Sequence, residues 1–178
     1  MKNLEHIITG VEWTFEPLEG KDVVSVLRKA ISGIKGTYWL SAGTLLGLYR
    51  DGGTIPHDTD IDIAVLANTE VNLPKEFELF RHIVEDGRTM QEAYIHRGEN
   101  IIVDILRYYP LDKNGHCLYN RGDEGYLIRP RDMIIPTQNV DWNDDIFKLP
   151  ADIESYLEIW YDDWETPIKG GKTKWLRL

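Results

Sequence analysis

Gly43–Leu66 reads GTLLGLYRDGGTIPHDTDIDIAVL, and its C-terminal part decides the fold. Asp58, Asp60 and Asp62 stand at every second position, and the last two lie inside an apolar run of Ile61, Ile63, Ala64, Val65 and Leu66. Alternate side chains of a β-strand share a face, so the spacing predicts a strand with aspartates on one side and isoleucines on the other. Carboxylates this close repel one another, and withdrawing them from water is costly unless something compensates. A divalent cation is the compensation this pattern points to.

Calcium in an EF-hand is the first alternative, because that loop also begins with acids at its first, third and fifth positions. It requires Gly sixth and Glu twelfth, where this chain has Ile63 and Thr69, so it is excluded. What remains is a site in which Asp60 and Asp62 hold Mg²⁺ (or Mn²⁺) for phosphoryl transfer. Magnesium takes one or two carboxylates together with substrate phosphate oxygens, which suits the pair. Asp58, after Pro56 and His57, is a secondary candidate ligand, with turn chemistry as its other reading. Such a site needs a further acid on a neighbouring strand, and Asp104 within Ile101-Ile102-Val103-Asp104-Ile105-Leu106 supplies one. The competing reading of Asp104 is an ion pair with an arginine such as Arg107.

Upstream, Gly43 and Thr44 stand where an expected strand, Thr37–Leu40, gives way to a helix carrying Leu45, Leu46, Leu48 and Tyr49. Backbone N–H groups at a helix start attract phosphate, and Gly permits close approach. Arg50 could clamp a phosphate bidentately or be an ordinary surface arginine at the helix end. His57 could touch a phosphate or act as a base, or be a solvated turn histidine.

The remaining chain suggests one α+β domain over residues 1–178, a mixed central β-sheet flanked by helices. Lys21–Ile34 has apolar residues at helical spacing, with Gly36 as its stop. Residues 4–16 fit a short helix or a strand equally. Residues 67–74 read as a polar loop, and Lys75–Glu85 as an amphipathic helix through Phe77, Phe80, Ile83 and Val84, ended by Gly87. Strands are expected at Ala93–His96 and Ile101–Tyr108, joined by a turn at Arg97–Asn100. A second turn falls at Asp112–Gly115, with short strands near Cys117 and Tyr126 and extended pieces from Ile134 to Pro150. Asp152 is placed to cap a last helix through Tyr156, Leu157 and Trp160. The aromatic residues of that region could stack on a base or pack the core. Residues 170–178, GGKTKWLRL, form a basic and loosely attached tail.

Composition narrows the class. The 178 residues carry a formal charge of −10, against the basic surface that a general nucleic-acid binder needs. Cys117 is the single cysteine, which excludes an intramolecular disulfide and multi-cysteine zinc sites. There is no secretory leader and no apolar run of membrane-spanning length, so a cytoplasmic protein is expected.

The ordered set Gly43-Thr44, Asp60-Ile61-Asp62-Ile63 and Val103-Asp104-Ile105 resembles the nucleotidyltransferase fold of the DNA polymerase beta superfamily. GTLLGLYRDGGTIPHDTDIDIAV resembles more closely the LicD family, which includes cholinephosphotransferases and fukutin-related phosphotransferases. Pro150, Ser155-Tyr156-Leu157, Trp160-Tyr161-Asp162-Asp163-Trp164 and Pro167 are similar to that family's C-terminal end. Departures are His57 where the family commonly has Trp, Thr59 where it often has an acid, and Asp162 where a Gly usually follows Tyr.

The resemblance implies Mg²⁺-dependent transfer of a phospho-alcohol group from a CDP-linked donor to a hydroxyl acceptor, usually on a glycan. On this reading Asp60 and Asp62 bind metal, and Asp104 shares the metal and orients or deprotonates the acceptor. Arg50 and the Gly43-Thr44 turn then handle donor phosphate. A nucleotidyltransferase moving NMP from an NTP to a protein, RNA or small molecule would use the same acids. An inactive nucleotide- or metal-binding module is a third reading, for which Asp104 has no use.

Overall fold

Alternation over Asp60–Ile63, continued by the apolar Ala64, Val65 and Leu66, builds the strand around which the sheet assembles. The computed structural model describes residues 3–113, 115–120, 125–161 and 163–167. The basic tail, Asn114 and Asp162 lie outside them.

The first half of the chain supplies β1 (Leu4–Ile8), α1 (Val23–Ser32), β2 (Ile34–Lys35), β3 (Tyr38–Leu40), α2 (Ala42–Leu46) and β4 (Asp60–Leu66). Next come β5 (Glu70–Val71), β6 (Phe77–Glu85), β7 (Arg88–His96), β8 (Ile101–Pro110), β9 (His116–Asn120) and β10 (Tyr126–Pro130). The chain ends in α3 (Arg131–Ile134), β11 (Gln138–Trp142), β12 (Asp145–Leu149) and α4 (Ile153–Trp160). The main sheet runs β1-β6-β7-β8-β4-β3, with β9 joining β8 and β10 joining β9. Among the described residues β4 and β8 pair parallel and the other pairings are antiparallel. The expected α+β class with a mixed sheet is therefore met, in a sheet that is mostly antiparallel.

One sheet face is closed by the helices. Ile61, Ile63, Ile101, Val103 and Ile105 pack there with Val26, Leu27 and Ala30 of α1, Leu45 of α2, and Tyr156 and Leu157 of α4. Asp22 caps α1 by accepting from Ser25 N at 3.1 Å, and Asp152 caps α4 by accepting from Ser155 N at 3.2 Å. The aromatic residues of α4 are thus core packing. The opposite face carries a smaller apolar group, Phe80, Ala93, Ile95 and Ile102, covered by Val11 and Trp13. Trp13 stacks on Phe80 with ring centroids 4.3 Å apart. Among the described residues no helix is long and apolar enough to cross a membrane.

Lys75–Glu85 is not a helix. Phe77–Glu85 is a strand that pairs with β1 on one side and β7 on the other. Its register slips between Leu79 and Arg81, leaving Phe80 as an extra residue, and slips again between Ile83 and Val84. Phe77 packs with the helical core and Phe80 on the opposite face, so burial on both faces of the strand gives the three-residue spacing of Phe77, Phe80 and Ile83, which imitates a helix. The Asp86-Gly87 pair then turns the chain with φ of 48° and 76°, the geometry of a two-residue hairpin rather than of a helix stop.

Smaller corrections have equally local causes. α1 ends at Gly33, not Gly36, because the chain must leave the helix in time to pair β2 with β5. A Cβ at Gly33 would overlap the Asn72 carbonyl, so close approach selects glycine there. The polar loop at 67–74 accordingly contains β5. Residues 4–8 resolve as a strand on the sheet edge, and α3 interrupts the extended pieces before the β11–β12 hairpin.

Candidate metal centre

The parallel register of β4 and β8 makes Asp62 the direct partner of Asp104 and Asp60 the partner of Ile102. Paired residues of adjacent strands project to the same face, so the three acids converge opposite the helical core. One carboxylate oxygen from each of Asp60, Asp62 and Asp104 lies within 4.8 Å of the others. Asp60 and Asp62 are half-buried and Asp104 is 6% exposed.

The turn between β3 and α2 holds this arrangement from one side. Ser41 N donates to the Asp62 carbonyl at 3.1 Å, and Asp62 N donates to Thr44 Oγ1 at 2.9 Å. Thr44 thus ties down the aspartate strand from inside the first turn of α2, which begins at Ala42 rather than after Thr44. Ala42 enters the helix at φ 41°, in the left-handed region that costs a non-glycine residue strain. Gly43 lies against the Asp58 carboxylate, which a Cβ at this position would overlap.

Asp58 lies beside Asp60. Its Oδ1 accepts from Thr59 N at 3.0 Å, and its carboxyl shares a hydrogen bond with that of Asp60. Burial pushes both carboxyls upward in pKa. Asp60 reaches about 7, because burial is reinforced by the charge and hydrogen bond of Asp58 and only partly offset by Arg81. The rise of Asp58 from burial is partly offset by its hydrogen bonds to Asp60 and Thr59. The upward shift of two neighbouring half-buried carboxyls marks negative charge that a cation would balance.

On the far side of the site, Asp104 Oδ2 accepts from Gln91 Nε2 at 2.7 Å, and Gln91 Oε1 accepts from Tyr119 OH at 2.8 Å. The tyrosine hydroxyl fixes which end of the amide faces the acid. Arg81 Nη2 stands 3.8 Å from the same Asp104 oxygen. Arg107, the alternative partner considered for Asp104, leaves by the opposite side of β8. Its Nε donates to Glu92 at 2.7 Å and its Nη1 to the Thr69 carbonyl at 3.0 Å.

Arg50 and His57 have surroundings of their own. Arg50 is engaged by Asp51 at 2.8 and 2.7 Å and by the Trp164 carbonyl at 3.3 Å. It sits in a wide π-type turn, Gly47–Asp51, that extends α2 and ends at Gly52 in the left-handed region. His57 is exposed in the turn closed by the Asp58 N to Ile55 carbonyl bond of 3.0 Å. Sequence reasoning missed Arg81, Gln91 and Tyr119. The readable signal was Asp86-Gly87, since a hairpin there makes 77–85 a strand.

Comparison with known proteins gives a family for the region that holds these residues. Residues 35–152, which contain the whole acidic cluster, match the family described as LicD/FKTN/FKRP, nucleotidyltransferase domain. Ribitol-5-phosphate transferase FKTN of Mus musculus is 26% identical over 164 residues, covering 84% of this chain and 34% of that protein. The Homo sapiens protein of the same name is 23% identical over 163 residues, with the same coverage of 84% and 34%. An uncharacterized protein of Rickettsia typhi is 31% identical over 103 residues, 57% of this chain and 31% of its own length. The chain spans about a third of the length of these curated relatives. With two-thirds of its residues inside the matched region, this chain belongs to the LicD/FKTN/FKRP nucleotidyltransferase-domain family.

Proposed function

We propose that this chain is a Mg²⁺- or Mn²⁺-dependent transferase that moves a phospho-alcohol group from a CDP-linked donor to a hydroxyl of a glycan. The observation that carries the proposal is the convergence of Asp60, Asp62 and Asp104 within 4.8 Å, inside the region that defines the family. The name of the fukutin relatives, ribitol-5-phosphate transferase, makes a CDP-alcohol the donor class to test. We read the sheet accordingly as nucleotidyltransferase-like, with the acids on its central strands.

The residues present fit a hard divalent cation. They offer carboxylate oxygens only, already gathered, with excess negative charge expressed in the raised pKa of Asp60. Asp60, Asp62 and Asp104 would hold the ion, which neutralises charge on the transferring phosphoryl group. The chain's own contribution is positioning. Thr44 and Ser41 fix the backbone of Asp62, while Gln91 fixes the carboxylate of Asp104. In the reaction the bond from phosphorus to the CMP oxygen breaks and one to the acceptor oxygen forms. CMP leaves, and Asp104 takes the proton of the acceptor hydroxyl.

The test is to incubate the protein with Mg²⁺, a sugar-alcohol acceptor, and CDP-ribitol, CDP-choline, CTP or ATP in turn. Metal-dependent CMP release from a CDP-alcohol supports this reading. Pyrophosphate release from CTP or ATP would move the chemistry to nucleotidyl transfer, and turnover of none of them would reject both.

A further inference from the structure

Arg81, Ala93, Asp104 and Asp62 form one row across four adjacent strands, each being the register partner of the next. Ala93 is fully buried and short, so the arginine side chain can pass over it toward the acids. The bulge at Phe80 is what aims it. With Phe80 as the extra residue, both Phe80 and Arg81 turn toward the face that carries the acids. Phe80 packs with Ala93 and Ile102, and its ring lies 5.9 Å below the guanidinium carbon.

The guanidinium has reached the site without being used up there. Its nearest acid among the described residues, Asp104, is 3.8 Å away, beyond the 2.7–2.9 Å of a charge-assisted hydrogen bond. Its Nε is buried with no hydrogen-bond partner, and among the described residues its head makes no hydrogen bond at all. The side chain is 32% exposed, so an incoming ligand can meet it. Arg50 and Arg107 differ: each is bound to a carboxylate at 2.7 Å and to a backbone carbonyl. Arg81 is thus a fork of five donors held beside three carboxylates, with its hydrogen-bonding capacity kept in reserve.

We propose that Arg81 is the phosphate anchor of this site, taking diphosphate oxygens of the donor while the acids hold the metal. This deepens the proposed function and rests on it for the identity of the donor. It also reassigns the role that sequence reasoning had given to Arg50. A simple counter-ion to the acids would make different predictions, since its removal would leave diphosphate binding unaltered.

The experiment is calorimetric titration of inorganic pyrophosphate, in Mg²⁺, into wild type, Arg81→Lys and Arg81→Met, with Mn²⁺ titrations and melting temperatures alongside. The expected result is a loss of pyrophosphate affinity of tenfold or more in Arg81→Met and a smaller loss in Arg81→Lys. Lysine keeps the charge and lacks the fork. Mn²⁺ affinity should hold or tighten in both. Equal pyrophosphate affinity in all three proteins, no binding by wild type, or an equal fall in Mn²⁺ affinity overturns the anchor. If pyrophosphate binding depends on Arg81 while wild type turns over no CDP-alcohol, the donor assignment fails and the anchor stands.

Discussion

Gln91 donates a 2.7 Å hydrogen bond from its side-chain amide to Asp104, and the other end of that amide is pinned by Tyr119. All three residues are buried, at 8%, 6% and 2% exposure, so water is a poor substitute for any of them. Partners that orient metal-binding carboxylates commonly account for 10- to 100-fold in metal affinity. Gln91→Leu should therefore weaken Mn²⁺ binding by about 10- to 100-fold while the protein stays folded. Tyr119→Phe, which frees the amide to flip, should fall between that variant and wild type. Equal Mn²⁺ affinity in all three would remove Gln91 and Tyr119 from the site.

Asp60 gives the metal-free protein a specific pH dependence. Its folded pKa, about 7, lies above the ordinary carboxylate value, so the folded state binds the extra proton between the two. Stability from this group is therefore present at acid pH and lost as pH rises toward and through 7. Asp60→Asn removes the liability. In chelator the variant should melt above wild type at pH 8, with a smaller gap at pH 5.5. A gap that is constant or larger at pH 5.5 would contradict the raised pKa.

Gly43 is needed for the space it leaves. Gly43→Ala would drive a methyl into the Asp58 carboxylate and through it disturb Asp60. The expected cost is about 1–3 kcal/mol of stability, read by chemical denaturation. Gly53→Ala is the matched control, because nothing lies within 4 Å of a Cβ there. Similar stability in both variants would show that Asp58 moves aside freely.

The phenol of Tyr156 joins α4 to the strand and turn that lead to the acids. Its hydroxyl lies 2.9 Å from Trp39 Nε1 and 2.8 Å from Ser41 Oγ, and Ser41 N holds the Asp62 carbonyl. The buried Arg129 guanidinium sits 3.9 Å from the same ring. Tyr156→Phe leaves the Trp39 donor and the Ser41 hydroxyl short of a partner, at about 1–3 kcal/mol. Equilibrium unfolding checks this, and a change under about 0.5 kcal/mol would mean that the network rearranges.

What could be read from the chain beforehand follows a physical pattern. Asp60, Asp62 and Asp104 were readable because acids are conspicuous inside otherwise apolar strands, two of them at alternate positions. The α1 helix was readable from apolar residues at helical spacing, and α4 from Asp152 standing ahead of such residues. Phe77–Glu85 was not, since the bulge at Phe80 and burial on both of its faces hid the alternation, and Arg81 was lost with it. The pairing of Asp62 with Asp104 depends on a parallel register between segments about forty residues apart, which no local pattern encodes. The hydrogen bond from Asp62 N to Thr44 was not readable either, since it joins residues 18 apart through the fold.

The most direct test of the account is calorimetric titration of Mn²⁺ into wild type and into an Asp62→Asn/Asp104→Asn double variant at pH 8. The account predicts saturable binding by wild type and its loss in the double variant, with the fold retained by circular dichroism. Equal binding by the two proteins would contradict it.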